Sequence, residues 1–76
     1  MRTEVYREGN RHHHKILFHA TGEHQILDLP ADRSDKPAIR DALEKALQFG
    51  TAHGASKGQL MAIRKAFTEA GYHLTK

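Results

Sequence analysis

The sequence predicts an α+β fold in which a three-stranded antiparallel sheet is followed by two amphipathic helices that pack on one face of the sheet. Three observations predict it. Apolar and polar residues alternate through most of residues 2–29, glycine-containing pairs interrupt that stretch at two points, and apolar residues recur at three- and four-residue spacing from about residue 36 onward. Residues 72–74, after the second helix, can add a short C-terminal strand.

The length of 76 residues allows one hydrophobic core, so we predict a single domain over residues 1–76. With no cysteine in the chain, stability comes from packing, which favours a homodimer or a partner-bound state over a lone monomer. No apolar run approaches the roughly 20 residues of a membrane-spanning helix, and the N-terminus has no apolar secretion segment. We therefore predict a soluble cytoplasmic protein without a membrane partner.

The first two strands are predicted from a hairpin signal. Residues 2–8 alternate as a strand does, and Gly9-Asn10 is a two-residue turn signal because both residues tolerate positive φ. The second strand then runs from His12 to Ala20. This turn pairs Tyr6 with His13 and Glu4 with Lys15.

A second tight turn is predicted at Thr21-Gly22 and leads into a third strand from His24 to Leu29, which completes a sheet over residues 2–29. Pairing across this turn puts compatible side chains opposite one another on each face. The predicted pairs are Lys15 with Asp28, Leu17 with Ile26, Ile16 with Leu27, and His19 with His24. The predicted core face carries Thr3, Val5, Ile16, Phe18, Leu27 and Leu29.

The first helix follows a polar linker over residues 30–35. Ser34 or Asp35 can cap this helix, which is predicted over about residues 36–49. Gly50 is its predicted stop, because glycine accepts the left-handed conformation in which many helices end.

The second helix is predicted over about residues 57–70. Ser56 and Gln59 have the spacing of a capping box, in which each side chain bonds a backbone N–H of the other residue. Its apolar residues recur on one side and its basic residues lie on the other. The apolar side carries Leu60, Ile63, Phe67 and Ala70, and the basic side carries Lys57, Arg64 and Lys65.

Positive charge is concentrated at the two ends of the chain. The net charge of +3 divides into +2 over residues 1–22, −2 over residues 23–48 and +3 over residues 49–76. A basic surface attracts phosphate, so this distribution indicates either a polyanion-binding surface or a charge excess that only keeps a small protein soluble.

Seven histidines are present, and four lie within residues 12–19. His12 and His14 share one face of a strand, and His19 and His24 form a predicted cross-strand pair, but neither pair has an evident third ligand. We therefore predict solvent-facing strand histidines, no metal site and no cofactor. An imidazole with an unperturbed pKa of about 6.5 gains a proton just below neutrality, so polyanion affinity is expected to rise between about pH 7.5 and 6.

The polar face of the predicted sheet mixes rings, cations and aliphatic side chains, as do sheet surfaces that stack bases and hold phosphates. We predict a small, basic, non-enzymatic regulatory or accessory module that binds RNA or DNA through this face and the basic second helix. The predicted nucleic-acid-binding residues are Tyr6, Arg7, Arg11, His13, Lys15, Lys57, Arg64 and Lys65.

Two other functions fit the sequence. One is an inhibitor or adaptor, of the kind that phages and mobile elements encode, that binds a host protein complex through the sheet face or a strand edge. The other is a metal-independent ribonuclease, with His13 or His19 as general acid or base and Lys15 or Arg11 stabilising the phosphorane. The chain lacks a Gly-rich phosphate loop, a serine elbow, an HExxH motif and a cysteine nucleophile, which excludes those catalytic classes.

Residues 7–14, Arg-Glu-Gly-Asn-Arg-His-His-His, precede further predicted strands and a helix. This arrangement resembles HicA-type toxins, which are small RNA-cleaving proteins with a Gly-x-His strand motif. Here an extra residue separates Gly9 from the first histidine. Residues 56–73 are similar to the helix that opens that family but stand at the other end of this chain. The resemblance implies a ribonuclease toxin, which is the third function considered.

Overall fold

The computed structural model describes residues 1–74 and confirms the α+β fold, with the sheet packed against the helices. The strands follow one another in the sheet in chain order, and neighbours are antiparallel. The elements are β1 (Arg2–Glu8), β2 (Arg11–Leu17), β3 (His24–Leu29), α1 (Lys36–Ala52) and α2 (Lys57–Glu69).

The β1–β2 hairpin has the predicted register, since the observed pairs include Tyr6 with His13 and Glu4 with Lys15. Gly9 adopts a positive φ of 62° in its two-residue turn. A positive φ at the first central position twists the turn in the sense that suits the flanking strands, and glycine adopts it without steric cost.

The predicted β2–β3 connection is wrong. β2 ends at Leu17, and residues 18–23 form a loop. A hydrogen bond closes this loop, with the Phe18 N–H donating to the Glu23 carbonyl at 2.9 Å. The register is consequently two residues from the predicted one. A shift of two residues keeps every side chain on its predicted face, because the side-chain period of a strand is two. The observed pairs include His13 with Asp28, Lys15 with Ile26, Ile16 with Gln25, and Leu17 with His24.

The core lies between the two helices and the side of the sheet that faces them, called here the inner face. β1 contacts α2 and β3 contacts α1, so each helix lies over one edge of the sheet. The predicted core face is confirmed as this inner face: its aliphatic and aromatic side chains are buried or packed against the buried core. The largest fully buried side chains are Ile16, Ile39, Ile63, Phe67, Tyr72 and His14.

α1 extends beyond its predicted end at residue 49 and continues to Ala52. Gly50 does not stop the helix; it is buried where α1 meets α2. A Cβ at this position would lie 3.1 Å from Leu60 Cδ2 and 3.2 Å from Ile63 Cδ1. The glycine therefore permits a close approach of the helices, and the left-handed residue that follows the helix is Gly54, with φ of 79°.

The helix N-termini are capped as predicted. Asp35 caps α1, and its carboxylate accepts the Ala38 N–H at 3.3 Å. The capping box of α2 is complete, with Ser56 N–H donating to Gln59 at 2.8 Å and Gln59 N–H donating to the Ser56 hydroxyl at 3.2 Å. These bonds satisfy backbone donors that have no partner within the first helical turn.

The predicted C-terminal strand is not formed within residues 72–74, and Thr75 and Lys76 lie outside the described residues. Gly71, with φ of 90°, turns the chain after α2 so that Tyr72 enters the core. The Tyr72 hydroxyl donates to the Pro30 carbonyl at 3.3 Å, which ties the end of the chain to the end of β3. Within residues 1–74, neither helix is long and apolar enough to cross a bilayer.

Candidate nucleic-acid interface

The side of the sheet away from the helices, called here the outer face, is not covered by any element within residues 1–74. Alternation places every second residue of each strand on it. Its cross-strand rows are Arg2–Leu17–His24, Glu4–Lys15–Ile26, Tyr6–His13–Asp28 and Glu8–Arg11.

His13 is held at the centre of the outer face by a neighbour on each side. Its ring centroid lies 5.3 Å from that of Tyr6, with the planes tilted by 35°. On the other side, His13 Nδ1 lies 2.8 Å from Asp28 Oδ1, a close charge contact that is not aligned as a hydrogen bond. The His13 side chain is 13% exposed and that of Asp28 is 75% exposed. The imidazole therefore lies between the Tyr6 ring and the Asp28 carboxylate.

Among residues 1–74, two of the three cations of the outer face have no carboxylate oxygen within 4.0 Å, whereas two of its three carboxylates have partners. Arg2 Nε lies 3.7 Å from a Glu4 carboxylate oxygen, and Asp28 contacts His13. Among residues 1–74, no carboxylate oxygen lies within 4.0 Å of the Arg11 or Lys15 side-chain nitrogens. With neutral histidines the formal charge of the face is zero, so Arg11 and Lys15 are its local positive centres.

The structure brings together four of the eight residues predicted to bind nucleic acid: Tyr6, Arg11, His13 and Lys15 all lie on the outer face. Arg7 lies on the other side of the hairpin, where its Nε donates to the Gly9 carbonyl at 2.7 Å. The remaining three, Lys57, Arg64 and Lys65, are exposed on α2 in the other layer of the molecule.

His14 is the main feature that the sequence interpretation missed. It was expected to face solvent, but it lies on the inner face at 0% exposure, with Nε2 2.7 Å from the Thr3 hydroxyl oxygen. Its ring packs on Phe67 at 4.8 Å, and its Nδ1 has no hydrogen-bond partner within residues 1–74. Burial lowers the pKa of His14 from 6.5 to about 4, because the apolar surroundings disfavour the charged imidazole. The signal was present: alternation places His14 on the same face as Ile16.

A second ring cluster joins the loop over residues 18–23 to the end of α1. His53 Nε2 lies 2.7 Å from a Glu23 carboxylate oxygen, and His53 Nδ1 lies 2.9 Å from the Phe49 carbonyl oxygen. The His53 ring also stacks on Phe18 at 5.4 Å. These contacts fix the loop that sets the β2–β3 register.

The predicted histidine pairs do not form metal sites. His14 is in the core, His24 is opposite Leu17, and His19 lies in the loop that follows β2. Within the described part of the chain, residues 1–74, no three His, Asp or Glu side chains converge as metal ligands.

In comparisons with models of known families, with curated protein sequences and with solved structures, no match to this chain was found. The resemblance to HicA-type toxins stays a resemblance of the stretches named above.

Proposed function

We propose that the protein is a small accessory module that binds single-stranded RNA or DNA on the outer face of its sheet. The observation that supports this proposal is the Tyr6–His13 ring pair beside Lys15 on an uncovered sheet face. Bases stack on such rings with a gain of about 1–3 kcal/mol each, and a sheet face admits unpaired bases without the groove geometry that a duplex requires.

Phosphate contacts come from Arg11 and Lys15, which lie four residues apart on the same face of β2. Neither has a carboxylate partner within residues 1–74. Two phosphate contacts to a single strand give a log–log salt slope of about −1.4, at about 0.7 per contact. If the strand also reached the three cations of α2, five contacts would give a slope of about −3.5. The salt slope therefore distinguishes binding on one face from binding that wraps around the molecule.

The test is a fluorescence anisotropy titration of labelled single-stranded RNA, single-stranded DNA and duplex DNA at several salt concentrations. We expect binding of the single strands, a Lys15→Ala slope shallower by about 0.7, and loss of affinity in Tyr6→Ala. Lys65→Ala, which removes an equal charge from α2, is the matched control and leaves the slope unchanged. Absence of binding at low salt would reject the proposal and favour the protein-binding alternative.

The His13–Asp28 contact favours a second candidate, metal-independent cleavage of RNA. RNA carries its own nucleophile, so the reaction needs a base to take the 2′-OH proton, a cation to stabilise the phosphorane and an acid to protonate the departing O5′. His13 would be the base, placed beside Asp28, with Lys15 or Arg11 beside the phosphorane, and the proton that His13 takes from the 2′-OH would return to the departing O5′ through solvent water. Cleavage would give a 2′,3′-cyclic phosphate in the presence of a chelator, and His13→Gln would abolish it. RNA that stays intact leaves binding as the function.

A further inference from the structure

We propose that the free edge of β3 pairs with β3 of a second copy of this chain, so that two sheets join into one antiparallel six-stranded sheet. β3 is the last strand of the sheet, and no strand within residues 1–74 lies on its other side. Pairing of this edge involves only the two protein chains and does not require bound nucleic acid.

The backbone groups that face this edge follow from one hydrogen bond. The Phe18 N–H donates to the Glu23 carbonyl, so Glu23 faces β2. Backbone groups in an antiparallel pair alternate between the two sides of the strand. The N–H and carbonyl groups that point to the free edge are therefore those of His24, Ile26 and Asp28.

The register between the two copies is set by these three residues. Backbone hydrogen bonds between the two strands form only where residues whose N–H and carbonyl groups point to the free edge are opposite each other. Pro30, which follows β3, cannot extend this pairing because it has no N–H to donate. The register that uses all three places Ile26 opposite Ile26 of the second copy, and His24 opposite Asp28 in both directions. Each of these three pairs exchanges two backbone hydrogen bonds.

The side chains on the outer face match this register. Ile26 is 48% exposed although it is large and apolar. In the proposed dimer the two-fold axis passes between the two Ile26 residues, so each would be buried against the other. The Asp28 carboxylate is 75% exposed and has only Oδ1 against His13, which leaves Oδ2 for His24 of the second copy. An imidazole and a carboxylate directly opposite each other attract, and the arrangement occurs twice.

The other edge of the sheet is less suited to pairing. β1 carries Arg2, Glu4, Arg7 and Glu8, and charged residues along an edge strand oppose association. At β3 the edge is open: a groove of about 380 Å³ separates it from α1. The groove is lined by Leu27, Asp28, Leu29, Pro30, Ala38, Asp41, Ala42 and Lys45.

The first test measures the mass of the full chain by sedimentation velocity over a wide concentration range. We expect a concentration-dependent dimer for the parent protein and a monomer for Ile26→Lys, because two lysines would meet at the two-fold axis. Met61→Lys removes the other exposed large apolar side chain of residues 1–74, on α2 at 60% exposure, and is expected to leave the dimer intact. A monomeric parent, or a dimer broken by Met61→Lys and not by Ile26→Lys, overturns the proposal. Circular dichroism confirms that each variant is folded.

The second test does not depend on a disruptive substitution. The chain has no cysteine, so Ile26→Cys and Met61→Cys each introduce a unique thiol. Opposed residues in a hydrogen-bonded antiparallel pair have Cα atoms about 5.5 Å apart, within the range of a disulfide. Mild oxidation is expected to link Ile26→Cys into dimers at least about tenfold faster than Met61→Cys, because pairing raises the effective thiol concentration. Equal rates overturn the proposed edge pairing.

Discussion

His13 and Asp28 lie directly opposite each other in β2 and β3, with His13 Nδ1 2.8 Å from Asp28 Oδ1. The predicted register places Asp28 opposite Lys15 instead. In the structure Lys15 is opposite Ile26 in β3 and has no carboxylate within 4.0 Å among residues 1–74. The two-residue difference therefore gives the imidazole a carboxylate and leaves the neighbouring cation available for phosphate.

Asp28→Asn is expected to strengthen the binding of single-stranded nucleic acid by about threefold at low salt, because it removes a negative charge beside the Tyr6–His13 ring pair. Anisotropy titration measures the change. Glu44→Gln makes the same charge change at an exposed position of α1, outside the groove beside β3, and is the control with no expected effect. Weaker binding by Asp28→Asn would contradict a phosphate site on the outer face.

Polyanion affinity is expected to rise between about pH 7.5 and 6, as exposed imidazoles gain protons. His14 does not contribute, since its pKa is lowered to about 4 and it stays neutral across this range. Replacing the outer-face histidines by glutamine should reduce the rise, and His73→Gln, at an exposed site near the C-terminus, should not. A pH-independent affinity would exclude the outer-face histidines from binding.

Acid is expected to destabilise the fold through His14. Its pKa is 6.5 when exposed and about 4 when buried, so the unfolded chain binds more protons than the folded chain between these values. The free energy of unfolding is therefore unaffected by His14 protonation above about pH 6.5. It falls as the pH drops toward 4, by about 3 kcal/mol in total. Urea unfolding across this pH range measures the loss.

His14→Leu isolates that contribution. It removes the buried imidazole, and with it both the unpartnered Nδ1 and the Nε2 contact to the Thr3 hydroxyl, so we expect these opposing terms to leave stability at pH 7 within about 1 kcal/mol of the parent and the acid profile flatter. His19→Leu, at an exposed loop position, should leave the acid profile unchanged. An acid profile that His14→Leu does not alter would assign the acid sensitivity to other groups.

Gly50→Val is expected to destabilise the fold by about 1–3 kcal/mol, because the added side chain meets Leu60 and Ile63 where the helices cross. Gly58→Ala is the matched glycine control. A Cβ there would have only the Ser56 hydroxyl as a near neighbour, at 3.9 Å, so alanine should stabilise α2 by about 0.5–1 kcal/mol. Thermal unfolding compares the two; equal effects would contradict a close helix crossing at Gly50.

Features encoded within a few residues could be predicted from the sequence. Gly9-Asn10 sets the first hairpin and its register, and Ser56 with Gln59 sets the start of α2. The alternation of side chains assigns both faces of the sheet, and hence the grouping of Tyr6, His13 and Lys15, because neither depends on distant contacts.

Other features were decided by the tertiary structure, because they depend on residues far apart in the chain. Phe18, in the loop after β2, packs against Phe49 and His53 at the end of α1, and the β2–β3 register beside this loop is two residues from the predicted one. The local sequence around Gly50 predicts a helix end, but Gly50 lies inside α1, where α2 packs closely against it. The separation of the basic residues into two layers follows from helix packing, which local sequence patterns do not specify.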